Sequence, residues 1–265
     1  MVVPQRSTDM TVKVIRSADR STWPGSDIVS RQSFPATGST RMTDYAFGLL
    51  LIHNDDLVEP GEGFDMHQHA DVEIVSWIAH GRLKHRDSSG EVMILGAGSA
   101  EAITAGSGVR HAETNAAGST TRDSVRVVQM WLPTDTAGVE PAHSVADLNE
   151  ALDAGGLVTV ASGDGDPGAA MAIRTSGARL RASRLHPGES VTTAEAPYLH
   201  VFVVVGDVRV RASEVIDMTE GDAARLTDEG PVVIEASPDE EGRGPAEVLV
   251  WEMHRSVKTT PTWRS

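Results

Sequence analysis

The segment "FDMHQHADVEI", Phe64 to Ile74, places two histidines one residue apart in an alternating run. In a β-strand, residues i and i+2 project from the same face, so His67 and His69 point together, spaced for two imidazoles to bind one ion. A second stretch, "AGSGVRHAETN", offers His111 and Glu113 at the same spacing, just after the Gly106 and Gly108 turn. An H-x-H pair alone is common on protein surfaces. Two such pairs, each supplying ligand-type side chains, form a constellation. Three imidazoles and one carboxylate suit a divalent transition metal with open coordination positions, because a six-coordinate ion keeps two sites for water or substrate. Glu73 competes for the carboxylate role. It follows His69 by four residues and shares its parity, if no bulge intervenes. Trp77 continues that parity and, with Trp131, is a candidate pocket wall. His85 is a candidate hydrogen-bond partner for a ligand, and Glu101 a candidate negative charge near the ion. His53, His80, His143, His186, His200 and His254 have no partner at metal spacing and read as structural or exposed.

Such a site needs strands to hold it, and strand signals dominate the chain. "TVKVIRS" alternates, and "FGLLLIH" is a continuous apolar run. "DVEIVSWIAHGRLKHRD" reads as two strands joined at Gly81. "EVMILGAG" follows the turn "SSG". "SVRVVQMWLP" puts Val125, Val127, Gln129 and Trp131 on one face and Val128 and Met130 on the other. Many short strands bounded by Gly, Pro, Asn, Asp and Ser indicate an all-β sandwich or barrel. One helix is expected, over "SVADLNEALDAG", capped by Ser144 and ended by Gly155. "ASGDGDPGA", residues 161–169, and "SPDEEGRGPAE", residues 237–247, read as polar loops. An internal echo links the halves. "VEPGEG" and "LHPGES" each open a segment in which an apolar strand runs to a glycine and a short strand follows. Two similar β units suggest a duplicated barrel. The second unit has no H-x-H.

Composition bounds the function. The 265 residues are 40% hydrophobic but only 4% aromatic, so the core is mostly aliphatic. The chain has no cysteine, which excludes disulfides, thiolate metal sites and thiol catalysis. The net charge is −15, from 23 Lys and Arg against 38 Asp and Glu. A field of that sign repels phosphate backbones, so direct nucleic-acid binding is not expected. "MVVPQRSTDM" carries no signal-peptide pattern and no apolar run is long enough to span a bilayer, so a cytoplasmic protein is expected.

The motif G-x5-H-x-H-x3-E from Gly61 to Glu73, with H-x3-N from His111 to Asn115, resembles the two cupin motifs. More narrowly, "GFDMHQHADVEIVSWIAHGRLKHRDSSG", "ITAGSGVRHAETN" and "VRVVQMWLP" resemble the pirin family, continuously from about Gly61 to Pro133. The resemblance implies a bicupin: two face-to-face β-barrels with a few short helices. The first, residues 1–140, would carry the metal, and the second, residues 141–265, would be a degenerate cupin barrel without metal ligands. The family's ligands fall on His67, His69, His111 and Glu113, which favours Glu113 over Glu73. The implied metal is iron(II), although the donor set also accepts Mn, Co, Ni, Cu or Zn. The implied activity is quercetin dioxygenase-type ring opening of a flavonol by dioxygen, with Glu113 as the catalytic base. The alternative is a metal-dependent redox sensor or regulator that binds a partner protein. Two departures stand out. Gln68 takes the place of the proline usual between the histidines, and Glu101 that of a glutamine. A monomer is expected, since the two barrels already bury the interface a cupin dimer would bury.

Overall fold

The computed structural model describes residues 11–24, 27–34, 41–118, 120–238 and 244–258. The first half contains β1 (Thr11–Ile15), β2 (Ser21–Pro24), β3 (Ile28–Gln32), α1 (Met42–Tyr45), β4 (Ile52–Val58), β5 (Gly63–His69), β6 (Val72–His80), β7 (Arg82–Asp87), β8 (Val92–Gly96), β9 (Ser99–Thr104), β10 (Val109–Asn115) and β11 (Val125–Pro133). The second half contains β12 (Ala142–Asp147), α2 (Asn149–Asp153), β13 (Val158–Ser162), β14 (Met171–Ala172), β15 (Ala178–Leu185), β16 (Ser190–Thr192), β17 (Tyr198–Val205), β18 (Asp207–Arg211), β19 (Val215–Thr219), β20 (Ala223–Thr227), β21 (Val233–Ala236) and β22 (Ala246–Met253). No helix among the described residues is long and apolar enough to cross a membrane.

The strands form two barrels, each built from one seven-stranded and one four-stranded sheet. In the first, the large sheet runs β12-β9-β6-β11-β4-β3-β2 and the small one β5-β10-β7-β8. In the second, the orders are β1-β20-β17-β22-β15-β13-β14 and β16-β21-β18-β19. Sheet membership crosses the midpoint of the sequence both ways. β1 pairs with β20 of the second barrel, and β12 pairs with β9 of the first.

The two large sheets face each other across an apolar seam that buries Trp77, Met130, Phe202, Leu249 and Trp251. Alternation along β11 explains the sidedness. Val128 and Met130 enter the seam, Val125 and Val127 fill one end of the first barrel, and Gln129 and Trp131 point toward its cavity. The interior of the second barrel is aliphatic, with Val201, Val203, Val208, Val210 and Ile234 at its centre. The internal echo is structural as well. Gly81 and Gly206 both join a large-sheet strand to a small-sheet strand at positive φ, +76° and +80°. A Cβ at Gly81 would come within 2.5 Å of the Ser124 carbonyl oxygen.

Two expected elements differ. "FGLLLIH" is not one strand: Leu49, Leu50 and Leu51 are buried in the seam ahead of β4, which begins at Ile52. The helix over residues 144–155 is only α2. Residues 142–147 instead complete the edge of the large sheet as β12, because their backbone finds partners along β9. Asp147, rather than Ser144, accepts the backbone N–H of Asn149 at the helix start, over 3.0 Å. Gly155 ends it at φ +84°. The loop expected over residues 237–247 lies outside the described residues at 239–243, and its last two residues, Ala246 and Glu247, begin β22; the N-terminal decapeptide lies wholly outside the described residues.

Candidate metal centre

β5 and β10 are antiparallel neighbours in the small sheet of the first barrel, and their register sets His111 directly opposite His67. A bulge between His111 and Glu113 then shifts the pairing, so Glu113 stands opposite Phe64. Gly63 permits the close approach. It pairs with Thr114, and a Cβ there would lie 2.2 Å from the Glu113 carbonyl oxygen.

The three imidazoles converge. Ring centroids are 4.5 Å apart for His67 and His111, 4.7 Å for His67 and His69, and 5.2 Å for His69 and His111. One ring nitrogen from each lies within 4.8 Å of the others. The Nδ1–H of His67 donates to the Asp65 carbonyl over 2.7 Å, which leaves Nε2 as a lone-pair donor. Burial, then the neighbouring His67, lowers His69 to about 4. Burial, then His67 and His85, lowers His111 to about 3. Both rings are therefore neutral at physiological pH, the form that ligates metal.

Glu113 sits one imidazole away, grouped with His111 and His85 rather than with His67 and His69. One of its carboxylate oxygens accepts the Gln129 side-chain N–H over 2.9 Å, and Gln129 in turn accepts the Trp131 indole N–H over 2.9 Å. Burial and the adjacent Glu101 carboxylate push Glu113 well above the usual range. Burial alone would raise Glu101 as well, but hydrogen bonds from His143 and His85 hold it below its ordinary value. The proton of this pair therefore resides on Glu113.

The donor set fits a divalent cation. Buried polar atoms are nearly always hydrogen-bonded. Here His69 Nε2, both ring nitrogens of His111 and Glu113 Oε1 are buried without a hydrogen-bond partner. Each neutral imidazole offers a cation one nitrogen lone pair, and Glu113 can ligate once its proton is released.

Above this cluster lies a cavity of about 820 Å³. Its walls include Trp23, Ile28, Met42, Ile52, Phe64 and Trp131, with His67, His69, Glu113 and Gln129 also lining it. Asn54 and Asp56 add a polar side. Asp56 is 3% exposed, one of its oxygens has no partner, and burial raises it to about 7.

Two expected residues lie elsewhere. The parity that runs from His69 to Glu73 is broken because the chain turns at Asp71, with φ +53°, and changes sheets. Glu73 is fully buried and accepts the Thr104 hydroxyl at 2.7 Å and the Arg174 backbone N–H at 3.1 Å. Trp77 faces the seam, where its indole N–H donates to Glu247 over 2.9 Å. His85 and Glu101 do reach the centre: His85 Nδ1 lies 3.1 Å from Glu101, and the His85 and His111 ring centroids are 5.0 Å apart. Sequence reading missed three groups. Gln129 was visible as a polar residue of inward parity in an apolar strand. Asp56 was hidden in the polar run "HNDD". His143 had no signal, because it meets Glu101 only through the β12–β9 register, at 3.0 Å.

The family model described as Pirin matches residues 22–132. A Mycobacterium tuberculosis (strain ATCC 25618 / H37Rv) protein named "Putative quercetin 2,3-dioxygenase" is 36% identical over 252 residues, 95% of this chain and 99% of that protein. This chain belongs to the pirin family. A "Pirin-like protein" of Caulobacter vibrioides is 33% identical over 197 residues, covering 74% of this pirin and 82% of its relative. The crystal structure of the bacterial pirin YhhW in complex with nickel(II), from Escherichia coli, superposes with a TM-score of 0.79. It spans 92% of this pirin and 100% of that chain, at 24% identity, and shows the shared bicupin fold.

Proposed function

We propose that this pirin is a metal-dependent dioxygenase that opens the ring of a flavonol-like aromatic substrate, with the metal held by His67, His69, His111 and Glu113. The observation that carries this reading is the convergence of the His67, His69 and His111 imidazoles beneath a cavity with aromatic and aliphatic walls, with His69 Nε2 and the His111 ring nitrogens buried without a hydrogen-bond partner. The names of its relatives support the substrate class. Iron(II) is the proposed ion. When bound, it would lower the pKa of a substrate hydroxyl and template dioxygen beside the activated ring.

The chain's own residues supply the remainder. Trp131, Phe64 and Ile52 present apolar surface to a flat ring. His69 is held edge-on against Trp131, with centroids 4.7 Å apart. Gln129 orients Glu113, whose own proton would be released to solvent on cation binding, leaving a carboxylate that accepts the hydroxyl proton. Asp56 and Asn54 offer hydrogen-bond partners to the polar edge of the substrate.

The test is anaerobic reconstitution with Fe(II), followed by quercetin and dioxygen while carbon monoxide is monitored, beside a His67→Ala control. Metal-dependent carbon monoxide release that disappears in the control is the expected result. Stoichiometric metal binding without turnover of quercetin or related flavonols would overturn the dioxygenase reading and leave the metal site standing.

A further inference from the structure

The cluster around Glu101 is more than a support for Glu113. Glu101 is completely buried on β9. His85 Nδ1 and His143 Nε2 approach the same carboxylate oxygen, at 3.1 Å and 3.0 Å. The two rings lie face to face, with centroids 4.5 Å apart and planes inclined by 30°. His85, Glu101 and His143 thus each offer one ligand atom within 4.8 Å of the others. A tetrahedral ion with bonds of about 2.0–2.1 Å has ligand atoms roughly 3.3 Å apart, so small shifts would seat an ion among them.

The cluster also has its own entrance. A separate cavity of about 180 Å³ is lined by His85, His111, His143, Ile103, Val109 and Arg110. The large cavity is lined by His67, His69 and Glu113, with neither His85 nor His143 among its walls. The His143 side chain is 23% exposed, so the cluster can be reached without passing through the three-histidine centre.

We propose that His85, Glu101 and His143 form a second binding site for a divalent cation of the zinc or cobalt class, entered through the small cavity and separate from the three-histidine centre. Two imidazoles and one carboxylate are a sufficient protein donor set for such ions, with the remaining position open to water. The buried carboxylate supplies the negative charge through the oxygen that both imidazoles approach. The inference does not depend on the proposed dioxygenase activity.

The experiment counts metal ions. Full-length protein stripped by chelator is dialysed against Co(II), and bound metal is measured by mass spectrometry alongside the visible Co(II) spectrum. Wild type is expected to bind two equivalents. His143→Ala should bind one, and the His67→Ala/His69→Ala double variant should also bind one, with its Co(II) spectrum arising from the remaining site. Glu101→Gln, which preserves size, gives a second reading and should lose one equivalent. The proposal is overturned if wild type saturates at one equivalent that the double variant loses and His143→Ala keeps, if the double variant binds none, or if His143→Ala and Glu101→Gln both retain two. Failure of the His67, His69 and His111 site would instead show as one equivalent in wild type that the double variant keeps and His143→Ala loses.

Discussion

The side-chain amide of Gln129 holds the Glu113 carboxyl over 2.9 Å, and Gln129 is itself fixed by Trp131. Groups that orient a ligand in this way typically contribute 10–100-fold to metal affinity. Gln129→Leu should therefore weaken metal binding by about that factor while the fold persists. Competition against a chromophoric chelator measures it. An affinity within twofold of wild type would mean that Glu113 is oriented without Gln129.

Gly63 allows β5 to lie against β10 beside Glu113. In Gly63→Ala the new methyl must displace the Glu113 backbone, since the contact is with main chain and not with a flexible side chain. The expected cost is about 1–3 kcal/mol of stability, together with weaker metal binding. Urea unfolding and chelator competition check the two effects separately, and unchanged values in both would refute the packing argument.

Asp56 makes stability depend on pH. Burial raises its pKa from 3.8 to about 7, so the folded state holds a proton that the unfolded chain has released. The stability linked to that proton is fully present below about pH 4 and is lost as pH rises through about 7. A shift of about three units corresponds to roughly 4 kcal/mol at most. Asp56→Asn should remove this component, so that the variant gains on wild type between pH 5 and pH 8. Denaturant unfolding of chelator-treated protein at the two pH values tests it, and parallel pH dependences would show that Asp56 titrates normally.

Trp77 bridges the two barrels rather than lining the cavity. Trp77→Phe removes the hydrogen bond to the buried Glu247 carboxylate, at an expected cost of about 1–3 kcal/mol. Metal stoichiometry should not change. A lowered urea midpoint with full metal content is the expected pair of results, and lost metal content would place Trp77 in the site after all.

The convergence of His67, His69 and His111 was legible in the sequence because strand parity is a local rule. The same rule failed four residues on. Parity survives only while a strand continues; β5 stops at His69, and the chain turns at Asp71 with a positive φ that "HADVE" did not announce. The β11 faces were readable for the same reason that the histidines were, being a single uninterrupted strand. β12 was misread because "SVADLNEALDAG" satisfies a helical pattern throughout its length, and only the open edge of β9 selects the strand for its first part. His143 was out of reach for a different reason. Its relation to Glu101 is a diagonal across two strands, and cross-strand register is set by the whole sheet.

The pairing of Thr11 with Thr227 sets a timetable for the molecule as it is made. β1 leaves the ribosome among the first described residues, yet its neighbour β20 emerges only after most of the chain. At 5–20 residues per second that interval is roughly 10–40 s. During it the nascent chain carries an alternating strand with no sheet to join, while the strands of the first barrel are already available to one another. The last barrel to be synthesised thus takes its edge from the first strand to appear, whereas the first barrel has all its strands once β12 has emerged.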